Sequence, residues 1–548
     1  MNDVVNVPNG WEKCQISDVL FIQNGYAFKS NDFYKSSSSQ NNIHLIKQSQ
    51  LKGDKVDVSE SVFLPNEYLT KYNDYKITKG DILIGMSGSI GKVSFYDYDF
   101  DSLLNQRVGK IQLFSKSTFN QRFFGYLLLN IEQEIQKIAR GMGVQNVSSK
   151  DIENLDFNLP PLNEQNRIVE KIEMLFSEID AGVESLSKAK IQLERYRQSL
   201  LKHAFEGKLT AQWRAEYESK NGKPLPTADE LIEQIQTARQ AHYDKQVKDW
   251  ELAVKAWENN GKNGKKPTKP TKLEKFQNFE KNDLIPDFPE TWALIKLSDI
   301  AEIGSGISVS QNRKLNNPLT VNYLRVANVQ RGYLVLDEIK TMKIEEELLS
   351  KYSLKYGDIL FNEGGDRDKL GRGWIWQSEI ENCITQNHVF RATPHIASIV
   401  HSKYISYWGN SFGKNYFEKT GKQTTNLASI NKTVLSGFPV TFPSLNEQSI
   451  IVDIIESRMS EIDNLMSQLE SQLLKANYMK SAILHKAFQG KLVPQDPTDL
   501  PASQLLDQIK AERLAKQTAK QTAQTATKSK AKANKQPKAK SKAKTKES

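Results

Sequence analysis

Side chains able to hydrogen-bond a base edge or a phosphate gather in a few polar, glycine-rich turns of this chain. In the first half they are Lys29 and Ser30 in "YAFKSND" (26–32), Ser87 and Lys92 in "MSGSIGK" (86–92), Gln106 and Arg107 in "NQR" (105–107), and Arg140, Gln145 and Lys150 in "RGMGVQNVSSK" (140–150). The second half offers Gln311 and Arg313 in "SVSQNRK" (308–314), Arg367, Lys369 and Arg372 in "EGGDRDKLGRG" (363–373), Gln386, Asn387 and His388 in "TQNH" (385–388), and Lys422 and Gln423 in "KTGKQTTN" (419–426). Arg and Lys suit guanine, Asn and Gln suit adenine, and Lys, Ser and Thr suit phosphate oxygens. As a set, the turns offer groups able to meet nucleic acid, though by composition alone the case for DNA binding is weak. Taken singly, each residue is more simply a turn former or a solvated side chain, and His388 a hydrogen-bonded structural histidine. Asn146 and Asn426 read as shared turn residues.

No arrangement points to covalent chemistry in the chain itself. A DNA adenine methylase needs an (N/D)PP(Y/F)-type pocket, and "NNPL" (316–319) lacks the second proline and the aromatic. "GMSGSIG" (85–91) is neither G-x-G-x-x-G nor a P-loop, and reads as a turn between strands. The seven His form no H-E-x-x-H and no cluster with Cys, and the scattered acids form no nuclease constellation, so no metal site is expected. Cys14 and Cys383 are the only cysteines and make no CxxC, which points to a reducing compartment, the cytoplasm, with no disulfide framework. No apolar run reaches the roughly 18–20 residues of a membrane span. The N-terminal "MNDVVNVPNGWEKCQ" lacks the layout of a signal peptide.

Charge is concentrated. Residues 516–548 hold eleven Lys and one Glu, a net +10 that equals the formal charge of the whole 548-residue chain. The body is therefore close to neutral, and any basic face on it is local. The Lys/Ala/Thr/Gln composition of the tail offers nothing to bury and is expected to be disordered.

What must position the polar turns is a unit written twice. "WEKCQISDVLFIQNG" (11–25) aligns with "WALIKLSDIAEIGSG" (292–306) at an offset of 281, and "KGDILI" (79–84) with "YGDILF" (356–361) at 277. "NQRV" (105–108) resembles "QNHV" (386–389), again at 281. "PPLNEQ" (160–165) returns as "PSLNEQ" (443–448) and "AFEGKL" (204–209) as "AFQGKL" (487–492), both at 283. "ELIEQIQTAR" (230–239) echoes "QLLDQIKAER" (504–513). Segments between these anchors, notably 26–78 against 307–355, differ freely. Constant anchors imply a scaffold, and divergent segments imply two versions of a variable surface.

Each half has two regimes. Short apolar runs such as "IHLIK", "DILIGM" and "GKIQLF" alternate with turn formers, which predicts strands; residues 119–140 then predict a helix closing the first globular part. After "LNEQ" the apolar spacing becomes three and four. One stripe is Ile168, Ile172, Phe176, Ile179, Val183, Leu186, Leu193, Tyr196 and Leu200; the other is Ile451, Ile455, Met459, Ile462, Met466, Leu469, Leu473, Ala476, Met479 and Ile483. Stripes sustained over four heptads predict a coiled coil. The plainer alternative is an amphipathic helix lying on its own domain. From Ile168 to Leu200 such a helix runs about 48 Å, against about 34–36 Å for one turn of B-DNA.

Two dissimilar globular units, each followed by a helix opening with "P-L-x-E-Q" and closing near "G-K-L", resemble the specificity subunit of type I restriction–modification systems. "LPPLNEQNRIVEKIE" (159–173), "FPSLNEQSIIVDIIE" (442–456), the two "GDIL" turns and "ILHKAFQGKLVPQDP" (483–497) carry the resemblance. It implies an α+β protein with two mixed α/β target-recognition domains joined by two long antiparallel coiled-coil helices in a pseudo-twofold internal repeat. The expected segments are recognition domain 1 (1–158), helix 1 (159–209), a helical insertion and basic linker (210–285), recognition domain 2 (286–441), helix 2 (442–493), a short helical extension (494–515) and the tail (516–548). The resemblance further implies that each domain reads half of a split double-stranded DNA site and that the helices dock two methylase subunits. No cofactor is expected on this chain: S-adenosylmethionine belongs to the methylase subunits, and ATP and Mg to a motor–nuclease subunit where one joins. On the helices, Ile168, Ile172, Ile179, Leu186, Leu193, Ile451, Ile455, Ile462, Leu469 and Leu473 are the expected pairing residues. A rival reading is a non-catalytic protein-binding scaffold with two repeated domains.

Overall fold

A computed structural model describes residues 7–115, 117–140, 145–273, 276, 279, 285–309, 314–365, 369–395, 398–423, 428–515 and 518. The chain divides into two units, Met1–Ser187 with Glu470–Ser548, and Lys188–Leu469.

In unit one the predicted strands form two four-stranded sheets. One runs in the order Leu20–Asn24, Val108–Leu113, Ile82–Gly85, Val93–Phe95, all antiparallel. The other runs Val62–Leu64, Ile43–Ile46, Ser102–Leu104, Lys76–Ile77, with its central pair parallel. The expected helix over 119–140 is two helices, Gln121–Asn130 and Glu132–Ile138, because the backbone leaves helical geometry at Ile131, whose side chain is buried in the core. Asn120 caps the first by accepting from the Arg122 and Phe123 amides.

Unit two repeats the plan with shorter sheets. Ala301–Ser305, Val389–Pro394 and Ile359–Asn362 pair antiparallel. Lys340–Glu345, Pro318–Leu324 and Cys383–Thr385 form the second sheet, and the last pair is parallel, as in unit one. A small ribbon of Gly364–Gly365, Ala428–Ser429 and Lys422–Gln423 extends a pairing that unit one shows as the isolated bridges Ser87–Asn146 and Arg140–Asn146.

The repeated words hold these pieces together. Each "LNEQ" glutamate accepts the indole N–H of the Trp that opens a repeat: Trp11 Nε1 donates to Glu164 (2.9 Å) and Trp292 Nε1 to Glu447 (3.0 Å). Each glutamine bridges two segments. Gln165 donates to the Pro160 carbonyl and accepts from the Asn120 amide, while Gln448 donates to the Pro443 carbonyl and accepts from the His401 amide. All four side chains are at most 1% exposed, where an unmade hydrogen bond would be costly. In each "GDIL" turn the glycine has positive φ (Gly80 +90°, Gly357 +85°), and the aspartate accepts a turn amide and faces a cation on the neighbouring strand. Those cations are Lys110 for Asp81 (3.4 Å) and Arg391 for Asp358 (3.9 Å).

Two helices of 44 residues, Leu162–Phe205 and Leu445–Phe488, each give one part to unit one and the other to unit two. Within unit one, Ile168 and Ile172 are buried with Leu484 and Ala487, and Asp180 pairs with Lys480 (2.7 Å), whose ammonium lies 4.9 Å over the Phe176 ring. Within unit two, Ala204 and Phe205 are buried with Ile451 and Ile455, and Arg197 pairs with Asp463. In each unit, rising numbers on one helix meet falling numbers on the other, so both pairings are antiparallel. The stripes are sealed unevenly. Ile168, Ile172, Ile451, Ile455 and Ile462 are buried, whereas Ile179, Leu186, Leu193, Leu469 and Leu473 are half-buried. A two-stranded pairing covers one face of each helix, and Ile191, Leu465, Leu474 and Tyr478 stay exposed on others.

Candidate nucleic-acid interface

The polar turns are sewn together by backbone hydrogen bonds, because they close the ends of neighbouring strands. In unit one, Gly25 approaches the "NQR" turn so closely that a Cβ would lie 2.2 Å from the Asn105 carbonyl oxygen. The Tyr26 amide then donates to the Leu104 carbonyl, and the Gln106 amide to the Tyr26 carbonyl (both 2.9 Å). The Asn105 amide donates to Ile46 (3.1 Å) and the Val108 amide to Asn105 (2.9 Å). Met86 joins the remaining turns: its amide donates to the Arg107 carbonyl, and its carbonyl accepts the Val147 amide (both 3.0 Å).

Unit two has the same six bonds. Ile307 donates to Thr385, Asn387 to Ile307, Gln386 to Leu324, Val389 to Gln386, Glu363 to His388 and Ile430 to Glu363, at 2.8–3.1 Å. A Cβ on Gly306 would lie 2.0 Å from the Thr385 carbonyl oxygen. The residues occupying this lattice do not match: Tyr26, Met86, Arg107 and Val147 stand where unit two has Ile307, Glu363, His388 and Ile430. In the alignment of the repeats, Asn105-Gln106-Arg107 corresponds to Gln386-Asn387-His388. The backbone repeats while the donors and acceptors it displays change.

Not every predicted donor is displayed. Lys29, Ser30, Gln106, Arg107, Arg140, Gln145 and Lys150 are exposed in unit one. Ser87 is 2% exposed and bridges backbone-to-backbone with Asn146, which makes it scaffold. Asn146 itself exchanges amide and carbonyl with Arg140, as expected of a turn residue. Lys92 is exposed at the hairpin, near the Glu132 carboxyl that burial pushes up and the lysine partly draws back.

In unit two, Gln386 and Asn387 are half-buried, and His388 Nδ1 lies 2.5 Å from Glu363 Oε2 while its side chain stays 55% exposed. The imidazole is thus both hydrogen-bonded and presented. Arg372 is a strut, its guanidinium donating to the Val326 carbonyl (3.3 Å), and Lys369 is half-buried beside it in the chain. Lys422 is exposed, and the Gln423 backbone pairs with Ala428. Gln311, Arg313, Arg367 and Asn426 lie outside the described residues.

Residue-type reasoning aimed at donors passed over Glu363, the acceptor that orients His388, and Tyr26, which is 37% exposed beside the "NQR" turn. Alignment of the repeats carried a signal for both, since they follow the aligned glycine and the aligned "GDIL" strand.

Nothing among the described residues gathers three or more His, Cys, Asp or Glu in a metal-binding group, and no described helix is long and apolar enough to cross a membrane. The thiols of Cys14 and Cys383 are buried and free, each pushed up to about 12, chiefly by burial. At neutral pH they are inert thiols.

Comparison with known proteins bears on the same two units. Residues 8–191 and 289–475 each match the type I restriction modification DNA specificity domain. The chain is 24% identical to the specificity subunit of the type I restriction enzyme EcoBI of Escherichia coli, with 94% of this chain and 95% of that one covered. It is 22% identical to the EcoKI specificity subunit of Escherichia coli K12, covering 93% and 97%. A solved chain from work on assembly and conformational transition of a type I R-M system superposes with a TM-score of 0.55 at 16% identity, covering 89% of this chain and all of that one, which is a likeness of fold. With the family domain matched twice and the turn lattice built twice, the chain belongs to the type I restriction–modification DNA specificity family, whose members are non-catalytic DNA-recognition subunits.

Proposed function

We propose that each unit reads one half of a bipartite DNA sequence through its turn lattice, and that the paired helices set the spacing of the half-sites and dock two methylase subunits. One observation carries the reading: six backbone hydrogen bonds recur in both units around side chains that do not match. A scaffold retained with its displayed groups replaced is what two independent readers of different sequences require. Docking is supported by Leu474 and Tyr478, 61% and 74% exposed and four residues apart on one helix, where side chains are neighbours and offer an apolar surface to a partner. In this reading S-adenosylmethionine sits on the methylase subunits, and ATP and Mg on a motor–nuclease subunit where one is present. The complex works in the cytoplasm, a compartment in keeping with two free, buried thiols.

Exchanging residues 12–158 for the matching region of a relative tests this directly. Methylated adenines mapped across a genome should then share the unaltered half-site and differ in the other. A change in both halves at once would end the modular reading.

A further inference from the structure

The echo between 230–239 and 504–513 is structural. Leu231 and Ile235 are buried in the core of unit two, and Leu505 and Ile509 in that of unit one. Arg239 pairs with Asp299 (3.5 Å), while Arg513 donates to the Ser17 carbonyl (3.3 Å) and lies 4.1 Å over the Phe114 ring. Ser17-Asp18 and Ser298-Asp299 are the repeated Ser-Asp pair. Each unit therefore carries the same helical anchor at the same place, and beyond each anchor the sequence turns basic. After Arg513 come the eleven lysines of 516–548; after Arg239 the helix first runs on through 240–259, with three Lys and four acids, and only then comes "GKNGKKPTKPTK" (261–272), with five lysines and no acid.

The second of these segments lies almost wholly within the described residues, and it is not a loose linker. Helix Ala228–Asn259 touches the core as far as Arg239 and His242, and its second half beyond them has no buried residue. The basic strap folds back along it. Trp250 Nε1 donates to the Pro267 carbonyl and Trp257 Nε1 to the Gly264 carbonyl, both at 3.1 Å. Lys269 lies 5.3 Å over the Trp250 ring and Lys266 5.9 Å over that of Trp257. The two indoles are seven residues apart on one helix face, which pins about 10 Å of strap.

Lys262, Lys265, Lys266, Lys269 and Lys272 form no ion pair with a described residue. Consecutive lysines of the strap are one to three residues apart, at most about 10 Å of chain and so about one Debye length, and neighbouring like charges repel; a polyanion relieves that repulsion. The anchor meets Asp299 and His395, at the Ala301/Pro394 end of the Ala301–Ser305 and Val389–Pro394 pair, whereas the reading turns follow Ser305 and precede Val389. About 16 Å of strand separates the two ends.

We propose that the Lys262–Lys272 strap is a phosphate-binding element that grips the backbone of duplex DNA without regard to sequence, outside the turns that read bases. This rests on the reading that the chain engages duplex DNA. Positive charge with no carboxylate among residues 261–272 suits phosphate, which carries no sequence information.

The test uses the full-length chain assembled with its methylase subunits, comparing wild type with K262Q/K265Q/K272Q, which spares the lysines seated on the indoles. Dissociation constants are measured between about 50 and 200 mM salt for one duplex bearing the recognised sequence and one lacking it. Each lost phosphate contact removes about 0.9 from the slope of log K against log salt. The variant should show a slope shallower by up to about 2.7 on both duplexes, the same fold-loss of affinity on each, and an unchanged methylated sequence. An unchanged slope on both duplexes would overturn the proposal. So would a loss confined to the recognised duplex, or release of a methylase subunit at constant slope, which would assign the strap to a protein partner. Failure of the wild-type complex to prefer the recognised duplex would instead count against the reading of function.

Discussion

Glu447 and Glu164 hold equivalent tryptophans but differ in their second oxygen. Glu447 Oε1 accepts the Thr210 hydroxyl (2.7 Å) and pairs with Arg214, while Glu164 Oε1 has no hydrogen-bond partner among the described residues. Breaking a buried pair by removing one partner costs about 3–5 kcal/mol, so Glu447→Ala should lower the unfolding free energy of unit two by that order, read from urea titrations followed by tryptophan fluorescence. Burial pushes the Glu164 carboxyl above its ordinary 4.5, against the pull of the Trp11 indole. The folded state then holds that proton more tightly than the unfolded chain. Stability from this group is complete below pH 4.5 and is lost as pH rises through the raised value. Glu164→Gln should flatten that fall, seen in denaturation midpoints from about pH 4 to 7. His395 runs the other way. Burial first, then His242 and Arg239 against the pull of Glu302, hold it down from 6.5 to about 4, so its stabilising share is present above pH 6.5 and drains away toward pH 4. His395→Gln should remove this acid limb from the same titration.

At the scale of elements, the turn lattice makes a sharper claim than any single donor. Gly306→Ala forces a Cβ against the Thr385 carbonyl, which accepts the Ile307 amide in the lattice. Adenine-methylation mapping should show the second half-site weakened or relaxed and the first intact. The helices make a claim about length. Seven residues inserted at matched places in both add about 10.5 Å, roughly three base pairs at about 3.4 Å each. Under the proposed function the methylated motif should keep both half-sites and lengthen its spacer by about that amount. Element existence was legible beforehand because strand alternation and three-four spacing are local properties. Which turn residues look outward was not. Ser87 is closed over by Asn146 and Arg372 is drawn to Val326, both by chain far away in sequence.

At the scale of the molecule, the units do not follow the linear repeat. Unit one takes in Glu470–Ser548, and Ala502, Leu505, Leu506 and Ile509 are buried with Trp11, Cys14 and Ile16. Truncation after residue 493 should therefore speed hydrogen exchange in peptides from residues 11–25 while leaving 292–306 unchanged. Legible in the string alone were a scaffold written twice, two matched helices after it, and divergence where the repeats display polar groups, since periodicity and near-identity need no third dimension. Why "LNEQ" recurs became visible only in three dimensions, through a Trp 153 residues before Glu164 and another 155 residues before Glu447. The fold alone reveals that the "basic linker" is pinned to a helix, and that each core is completed by the far end of the other repeat. The physical reason is the same throughout: burial and hydrogen-bond satisfaction are settled between segments distant in sequence, and composition says which groups need partners but not where the partners will come from.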